Sequence, residues 1–339
     1  MRSSPQPRRS DKARRTVSVV ATGSYVPERV VTNKDLEKIV ETSDEWIQSR
    51  TGIRERRIAA ADESTSDMAT KAALRAMEQA NIKAEEIGLI MVATVTPDML
   101  FPATACLVQR NLGAYRAACF DVSAACSGFL YAMEIAQQFI STHVFDTILI
   151  IGADKLTCIV DWSDRNTCVL FGDGAGAAIL RNRASSHGVI TTQLGSDGEF
   201  AEILMMPGGG SRTPIRPENV GQKLNTIRMQ GKETYKQAVK AMSEGADRAL
   251  EAAGLKYDDI ACVIPHQANI RIIEAISHRM KVPMEKFYVN LEKYGNTSAA
   301  AVAIALDEAH RSGRFKIGDY VLLVVFGGGL TWASSVIQW

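Results

Sequence analysis

The chain has 339 residues, 46% of them hydrophobic and 23% charged, a balance that excludes wholesale disorder and suits two ordinary domains or one fused body. With 39 basic and 38 acidic residues the formal net charge is +1, so bulk charge gives no reason to expect a nucleic-acid binder. The longest apolar runs, such as residues 321–326, fall far short of the roughly 18 residues of a membrane helix.

In chain order, residues 1–16 form a basic segment containing Ser and Pro, expected to be a disordered extension. The apolar stretch 17–21 that follows is too short for a signal-peptide core. An amphipathic helix over 66–80, with Thr65 or Ser66 as N-cap, leads into an apolar β run at 87–93. A β run at 118–122 reaches a small-residue turn, a helix over 127–139 and a strand at 147–151. The insert 205–221 is rich in Gly and Pro and reads as a loop or flap. The pattern then returns: helix 233–253, strand 260–264, a small-residue turn, helix 297–310 and strand 320–326.

This return is a duplication. Residues 75–92 lie over 248–265, with Arg, Ala, Glu, Ala, Lys and Ile repeated identically at an offset of 173 residues. The same offset places 145–151 on 318–324. The expected architecture is α/β: two similar halves, 17–186 and 187–339, packed face to face, with sites at the carboxyl ends of their strands.

Six cysteines occur without a C-x-x-C pair or a Cys/His cluster at zinc spacing, so no metal site is expected. Their thiols are expected to be reduced, in the cytoplasm. Cys119, Cys168 and Cys262 fall in apolar strand-like runs and are assigned to the core. Cys126 differs, because D-V-S-A-A-C-S-G-F puts it between a strand and a helix start, where unpaired amides lower a thiol's pKa. His266, in P-H-Q-A-N, follows its strand directly. Asn296, in Y-G-N-T-S-A-A-A, has the spacing of an N-cap. Moving Cys126 by the duplication offset lands on Ala299, beside Asn296, so facing halves would bring thiol, imidazole and carboxamide together. The glycine runs at 171–178 and 326–333 lack the Lys-Ser/Thr of a phosphate loop and read as strand turns.

With these motifs, and with S-D-E-W-I-Q-S-R-T-G-I, D-W-S-D-R, L-F-G-D-G-A-G-A and F-G-G-G-L-T-W, residues 17–339 resemble the β-ketoacyl-acyl carrier protein synthase III family of thiolase-fold condensing enzymes. The resemblance implies a thiolase-like fold, two duplicated α/β halves in a layered αβαβα arrangement. It implies an acyltransferase that condenses an acyl-CoA primer with malonyl-acyl carrier protein, with decarboxylation, to start type II fatty-acid synthesis. Its implied catalytic triad is Cys126, His266 and Asn296, with the amides of Cys126 and Gly328 as oxyanion hole. Trp46, Arg50, Arg165 and Asn269 are implied for CoA, and Leu156 and Phe171 for the acyl pocket, floored by a partner's Phe101 in a homodimer. Lys236, Arg271 and Arg279 are implied for the acidic carrier protein. No cofactor is expected, since acyl-CoA is a substrate. A related ketosynthase of a secondary pathway, a non-catalytic carrier-protein-binding scaffold and a thiol hydrolase are the alternatives. Ser123 and Ser127 depart from alanines often seen beside the nucleophile.

Overall fold

The computed structural model describes residues 16–183 and 187–339; the expected basic extension, apart from its last residue, lies outside them. Nine strands build two sheets: β1 (Val17–Tyr25), β2 (Leu89–Ala93), β3 (Ala118–Val122), β4 (Thr147–Lys155), β5 (Asp173–Asn182), β6 (Gly188–Ser196), β7 (Ile260–Pro265), β8 (Tyr320–Gly327) and β9 (Thr331–Gln338). The helices that matter for the site are α1 (Asp44–Thr51), α2 (Thr65–Ala80), α3 (Thr104–Leu112), α4 (Gly128–Ser141), α5 (Gly231–Ala253), α6 (Ile270–Met280) and α7 (Ala299–Arg311).

The first sheet has the order β1-β5-β4-β2-β3 and the second β6-β9-β8-β7. Their directions match strand for strand. The outer pairs β1/β5 and β6/β9 are antiparallel, as are β5/β4 and β9/β8, whereas β4/β2 and β8/β7 are parallel. A fifth strand of the second sheet survives only as a parallel bridge from Val263 to Phe287. Helices occupy equivalent links in both halves, α2 with α5, α3 with α6 and α4 with α7. The duplicated fold is therefore real, but each sheet is mixed. The antiparallel pairs arise because β5 and β9 turn back after β4 and β8 and insert between them and β1 or β6.

The layers run α2 and α3, first sheet, α4 and α7, second sheet, α5 and α6. The middle layer explains the sequence of α7. Its run A-A-A-V-A-I-A-L has no polar face, and every one of these residues is buried between the sheets. Phe129, Leu130 and Met133 of α4 join Val302 and Leu306 of α7 in the central apolar cluster. Close approach is needed, and Gly152 of β4 permits it: a Cβ there would overlap the carbonyl oxygen of Ala299.

Boundaries shift slightly from the sequence reading. Helix α2 is capped by Ser64, whose hydroxyl accepts the Asp67 N–H while Asp67 reaches back to the Ser64 amide, so Thr65 and Ser66 lie inside the first turn. Cys262 is buried in β7, as expected. Cys168 is buried in a turn rather than a strand, and Cys119 is only half-buried because β3 is a sheet edge.

Candidate active site

The two middle helices begin side by side, and the turns that feed them carry two of the candidate groups, Cys126 and Asn296. A single 3-10 turn, Ala125–Ser127, joins β3 to α4 and holds Cys126. Ala125 just before it has φ of 46°, and Ser298 just before α7 has φ of 54°; both are non-glycine residues in the left-handed half of conformational space. The cysteine turn is tied to the other half by Thr331, whose hydroxyl donates to the Ala124 carbonyl at 2.8 Å, and by Ser127, whose hydroxyl donates to the Thr331 carbonyl at 3.1 Å. The end of β8 packs on it as well. A Cβ on Gly327 would meet the Cys126 nitrogen at 2.6 Å, which brings the 327–328 turn against the Cys126 backbone.

His266 continues β7, its amide donating to the Val324 carbonyl at 2.8 Å. The ring is buried and its Nδ1 has no hydrogen-bond partner. Burial pushes its pKa down to about 4, so the imidazole is neutral at pH 7. Asn296 is not the N-cap of α7; Ser298 occupies that position. The Asn296 carboxamide oxygen instead accepts the Ser298 N–H at 2.8 Å, leaving its NH2 as the group to offer. Its backbone N–H donates to the Leu170 carbonyl at 2.8 Å, and an isolated β-bridge sets Phe171 beside it.

Cys126 departs from expectation. Burial pushes its thiol up to about 12, the nearby Asp154 carboxylate adds to the rise, and only a hydrogen bond with Ser298 and a backbone contact oppose them. Unpaired amides at a helix start favour a thiolate, but here dehydration of the sulfur outweighs that pull. The resting group is a thiol.

All three side chains line one cavity of about 790 Å3, together with Gly328, Leu156, Phe171, Trp46, Arg50, Asn269 and Arg271. At its mouth Trp46 lies under two guanidinium groups, Arg165 at 4.9 Å and Arg50 at 5.9 Å from the ring centroid. Arg165 does not itself line the cavity; its Nη1 donates to the Glu41 carbonyl. Asn269 holds the rim, its Nδ2 donating to the Arg50 carbonyl and its Oδ1 accepting the Arg271 N–H.

Three expected residues stand apart. Lys236 and Arg279 are outside the cavity, paired with Glu233 at 3.8 Å and Glu244 at 3.2 Å, and Phe101 is on an outer loop, 84% exposed. Sequence reasoning missed Lys232, Thr234 and Tyr235, which line the cavity from the first turn of α5, and Ala238 and Met242, which continue the same stripe at helical spacing. Met205 and Met206, at the start of the Gly/Pro-rich insert, form part of the wall. Among the described residues, no three His, Cys, Asp or Glu side chains gather as metal ligands, and no helix is long and apolar enough to cross a membrane.

A layered pair of duplicated sheets with a cysteine at the head of a central helix is the architecture of thiolase-fold condensing enzymes, a class of acyltransferases. The descriptions of 3-oxoacyl-[acyl-carrier-protein] synthase III match residues 120–198 and, for its C-terminal part, 250–339. A curated relative, the β-ketoacyl-[acyl-carrier-protein] synthase III of Caldanaerobacter subterraneus subsp. tengcongensis, is 57% identical over 95% of this chain and 97% of its own. The crystal structure of 3-oxoacyl-[acyl-carrier-protein] synthase III from Aquifex aeolicus superposes with a TM-score of 0.89 at 47% identity, covering 95% of this chain and all of that one. The priming β-ketosynthase of the R1128 polyketide biosynthetic pathway superposes with a TM-score of 0.90 at 36% identity, covering 98% and 99%. The chain belongs to the 3-oxoacyl-[acyl-carrier-protein] synthase III family.

Proposed function

We propose that this chain joins an acyl-CoA primer to malonyl-acyl carrier protein with loss of CO2, the condensation that starts fatty-acid synthesis, and that Cys126, His266 and Asn296 are its reacting groups. Membership of the family at 57% identity supports the reaction. The observation that carries the residue roles is that the three side chains, from three separate turns, open onto one cavity.

The chemistry follows from their states. The Cys126 sulfur attacks the thioester carbonyl, the acyl–sulfur bond of acyl-CoA breaks, and the cysteine proton leaves on the departing CoA thiol. The amides of Cys126 and Gly328 are the donors proposed for the oxyanion, and the packing of the 327–328 turn on the Cys126 backbone supports this. In the second half-reaction the malonyl C–C bond breaks, CO2 departs and its electrons form an enolate. The neutral His266 and the Asn296 NH2 each donate a hydrogen bond to the enolate oxygen. The enolate carbon then attacks the acyl-enzyme and expels the Cys126 sulfur, giving the β-ketoacyl product. No cofactor takes part in these steps, since both acyl groups arrive as thioesters.

Trp46, Arg50, Arg165 and Asn269 are the proposed CoA contacts, supported by the paired guanidinium and indole faces at the mouth. Leu156 and Phe171 are proposed to line the acyl pocket. Arg271, Lys236 and Arg279 are proposed to meet the acidic carrier protein, with Arg271 the one nearest the substrate path. The proposed assembly is a homodimer, and the proposed compartment is the cytoplasm, where free thiols such as these six persist.

Incubation with radiolabelled acetyl-CoA tests the central step. The wild-type chain is expected to retain label through denaturation and Cys126→Ser to retain none. Label on neither chain would favour a binding scaffold, and release of free acid without malonyl-acyl carrier protein would favour a hydrolase.

A further inference from the structure

Arg56 is fully buried in the strand Glu55–Ile58, which pairs with Arg29–Thr32, and nothing in the condensation as described uses it. A buried charge ordinarily sits against an opposite one. Here, among the described residues, no carboxylate bonds to the guanidinium. Its Nη1 donates to the Val31 carbonyl at 3.2 Å and to Asn33 Oδ1 at 2.8 Å, and its Nη2 donates to the Val169 carbonyl at 2.8 Å. Nε is buried with no partner among the described residues. Burial draws the pKa down to about 10, which leaves the group charged at pH 7. A dehydrated cation thus reaches a carbonyl 113 positions away in the chain.

Val169 opens a strap, residues 169–172, that runs along the Asn296 turn. The Leu170 carbonyl accepts the Asn296 N–H at 2.8 Å, and the Asn296 carbonyl accepts the Gly172 N–H at 3.1 Å. Phe171, between them, is bridged to Asn296. The stem of Arg56 packs against both segments, since a Cβ on Gly172 or on Gly295 would lie 3.1 or 3.6 Å from the Arg56 Cβ. The other end of the guanidinium is fixed through Asn33, whose Nδ2 donates to the Ile53 carbonyl and to Asp44 Oδ1, both at 2.8 Å.

We propose that Arg56 is a positioning residue for the malonyl half of the reaction: its guanidinium holds the Val169 end of the strap, and the strap's two backbone bonds to Asn296 set the direction of the Asn296 carboxamide. The inference rests on Asn296 acting on the enolate. Without the guanidinium the buried Val169 carbonyl loses its donor, and the strap must shift to find another. Asn296 moves with it, because its N–H and its carbonyl are both bonded to the strap. Cys126 does not follow, since its turn is tied through Ser127 and Thr331. Asn33 keeps both of its Nδ2 bonds, so α1, with Trp46 and Arg50, stays in place as well.

The two half-reactions separate this role from a merely structural one, which would lower both alike. Arg56→Met keeps an unbranched stem and removes the donors. Release of labelled CO2 from malonyl-acyl carrier protein by the acetylated enzyme is expected to fall about 10- to 100-fold, the scale of a misplaced reacting group. Uptake of label from acetyl-CoA in a single turnover should stay within about threefold of wild type, with KM for acetyl-CoA within about twofold. The proposal is overturned if CO2 release is unchanged, or if uptake of label falls as far as CO2 release does.

Should Arg56→Met not fold, Arg56→Lys serves instead. It keeps the charge but lacks the planar fork that spans Asn33 and Val169, so the same unequal loss is expected. Wild-type CO2 release by Arg56→Lys, or its failure to fold, overturns the proposal. CO2 release at the wild-type rate by Asn296→Ala would instead overturn the assignment of Asn296.

Discussion

His266 shows how dehydration shapes a residue's chemistry. With its folded pKa near 4 and an unfolded value near 6.5, the unfolded chain binds the extra proton between those pH values. Stability from this group is thus fully present above pH 6.5 and is lost as pH falls towards 4. The expected loss between pH 7 and 4.5 is about 2 kcal/mol. Urea unfolding at the two pH values checks it: His266→Ala should lose less stability than wild type by about that amount, and equal losses would show that the ring is hydrated in the folded state. At this scale the sequence made the three candidates visible for separate reasons: Cys126 by its small-residue turn between strand and helix, His266 by following its strand directly, and Asn296 by the tight turn that feeds a small-residue helix. Arg56 was not visible. It sits in I-R-E-R-R-I as one of a run of charges, and its Val169 partner lies 113 positions away in the chain. The Cys126 pKa was misjudged for a related reason. The local motif supplies a helix start, whereas the burial that dominates comes from the other half of the molecule.

Among the elements, α7 is apolar on every side over residues 299–306 and is pressed against β4 at Gly152. The sequence made a helix over 297–310 legible from its small-residue turn and its place in the repeat, but not its burial between two sheets. What no local pattern encodes is the direction of approach, which needs a missing Cβ on a strand 147 residues upstream of Ala299. Gly152→Ala would drive a methyl group into the Ala299 backbone, and neither partner is a flexible side-chain end. The expected cost is about 1 to 3 kcal/mol by thermal or urea unfolding. Condensation should fall as well, because the displaced turn carries Asn296 and Ser298. Gly198→Ala is the matched control, since a Cβ there meets nothing within 4 Å, and it should stay within about 0.5 kcal/mol of wild type. Equal effects at both positions would mean that α7 does not depend on this contact.

For the molecule as a whole, the repeat offset was enough to foretell two similar halves with the same succession of helices and strands, because homologous elements keep similar lengths. The mixed direction of the sheets was hidden, since pairing direction follows from topology and leaves little mark on a strand buried on both faces. The outer edge of the first sheet points to the quaternary structure. Strand β3 pairs with β2 on one side only, and its residues from Cys119 to Val122 are half-buried. Asp121 of β3 accepts the Thr104 and Ala105 amides at 2.7 and 2.8 Å, capping α3 and holding the loop before it at the carboxyl end of that edge. Leu100 and Phe101 on that loop are 85% and 84% exposed. Burying each such side chain is worth about 1.5 to 3 kcal/mol, and a two-fold axis doubles the gain. Sedimentation velocity should accordingly find a dimer, with Leu100→Asp/Phe101→Asp shifting it to monomer. If each Phe101 also floors the partner's acyl pocket, the monomer should lose acyl transfer from CoA while its thermal unfolding stays cooperative. A monomeric wild type would show that the edge and loop do not serve assembly, and a dissociated variant with full acylation would show that Phe101 does not floor the partner's acyl pocket.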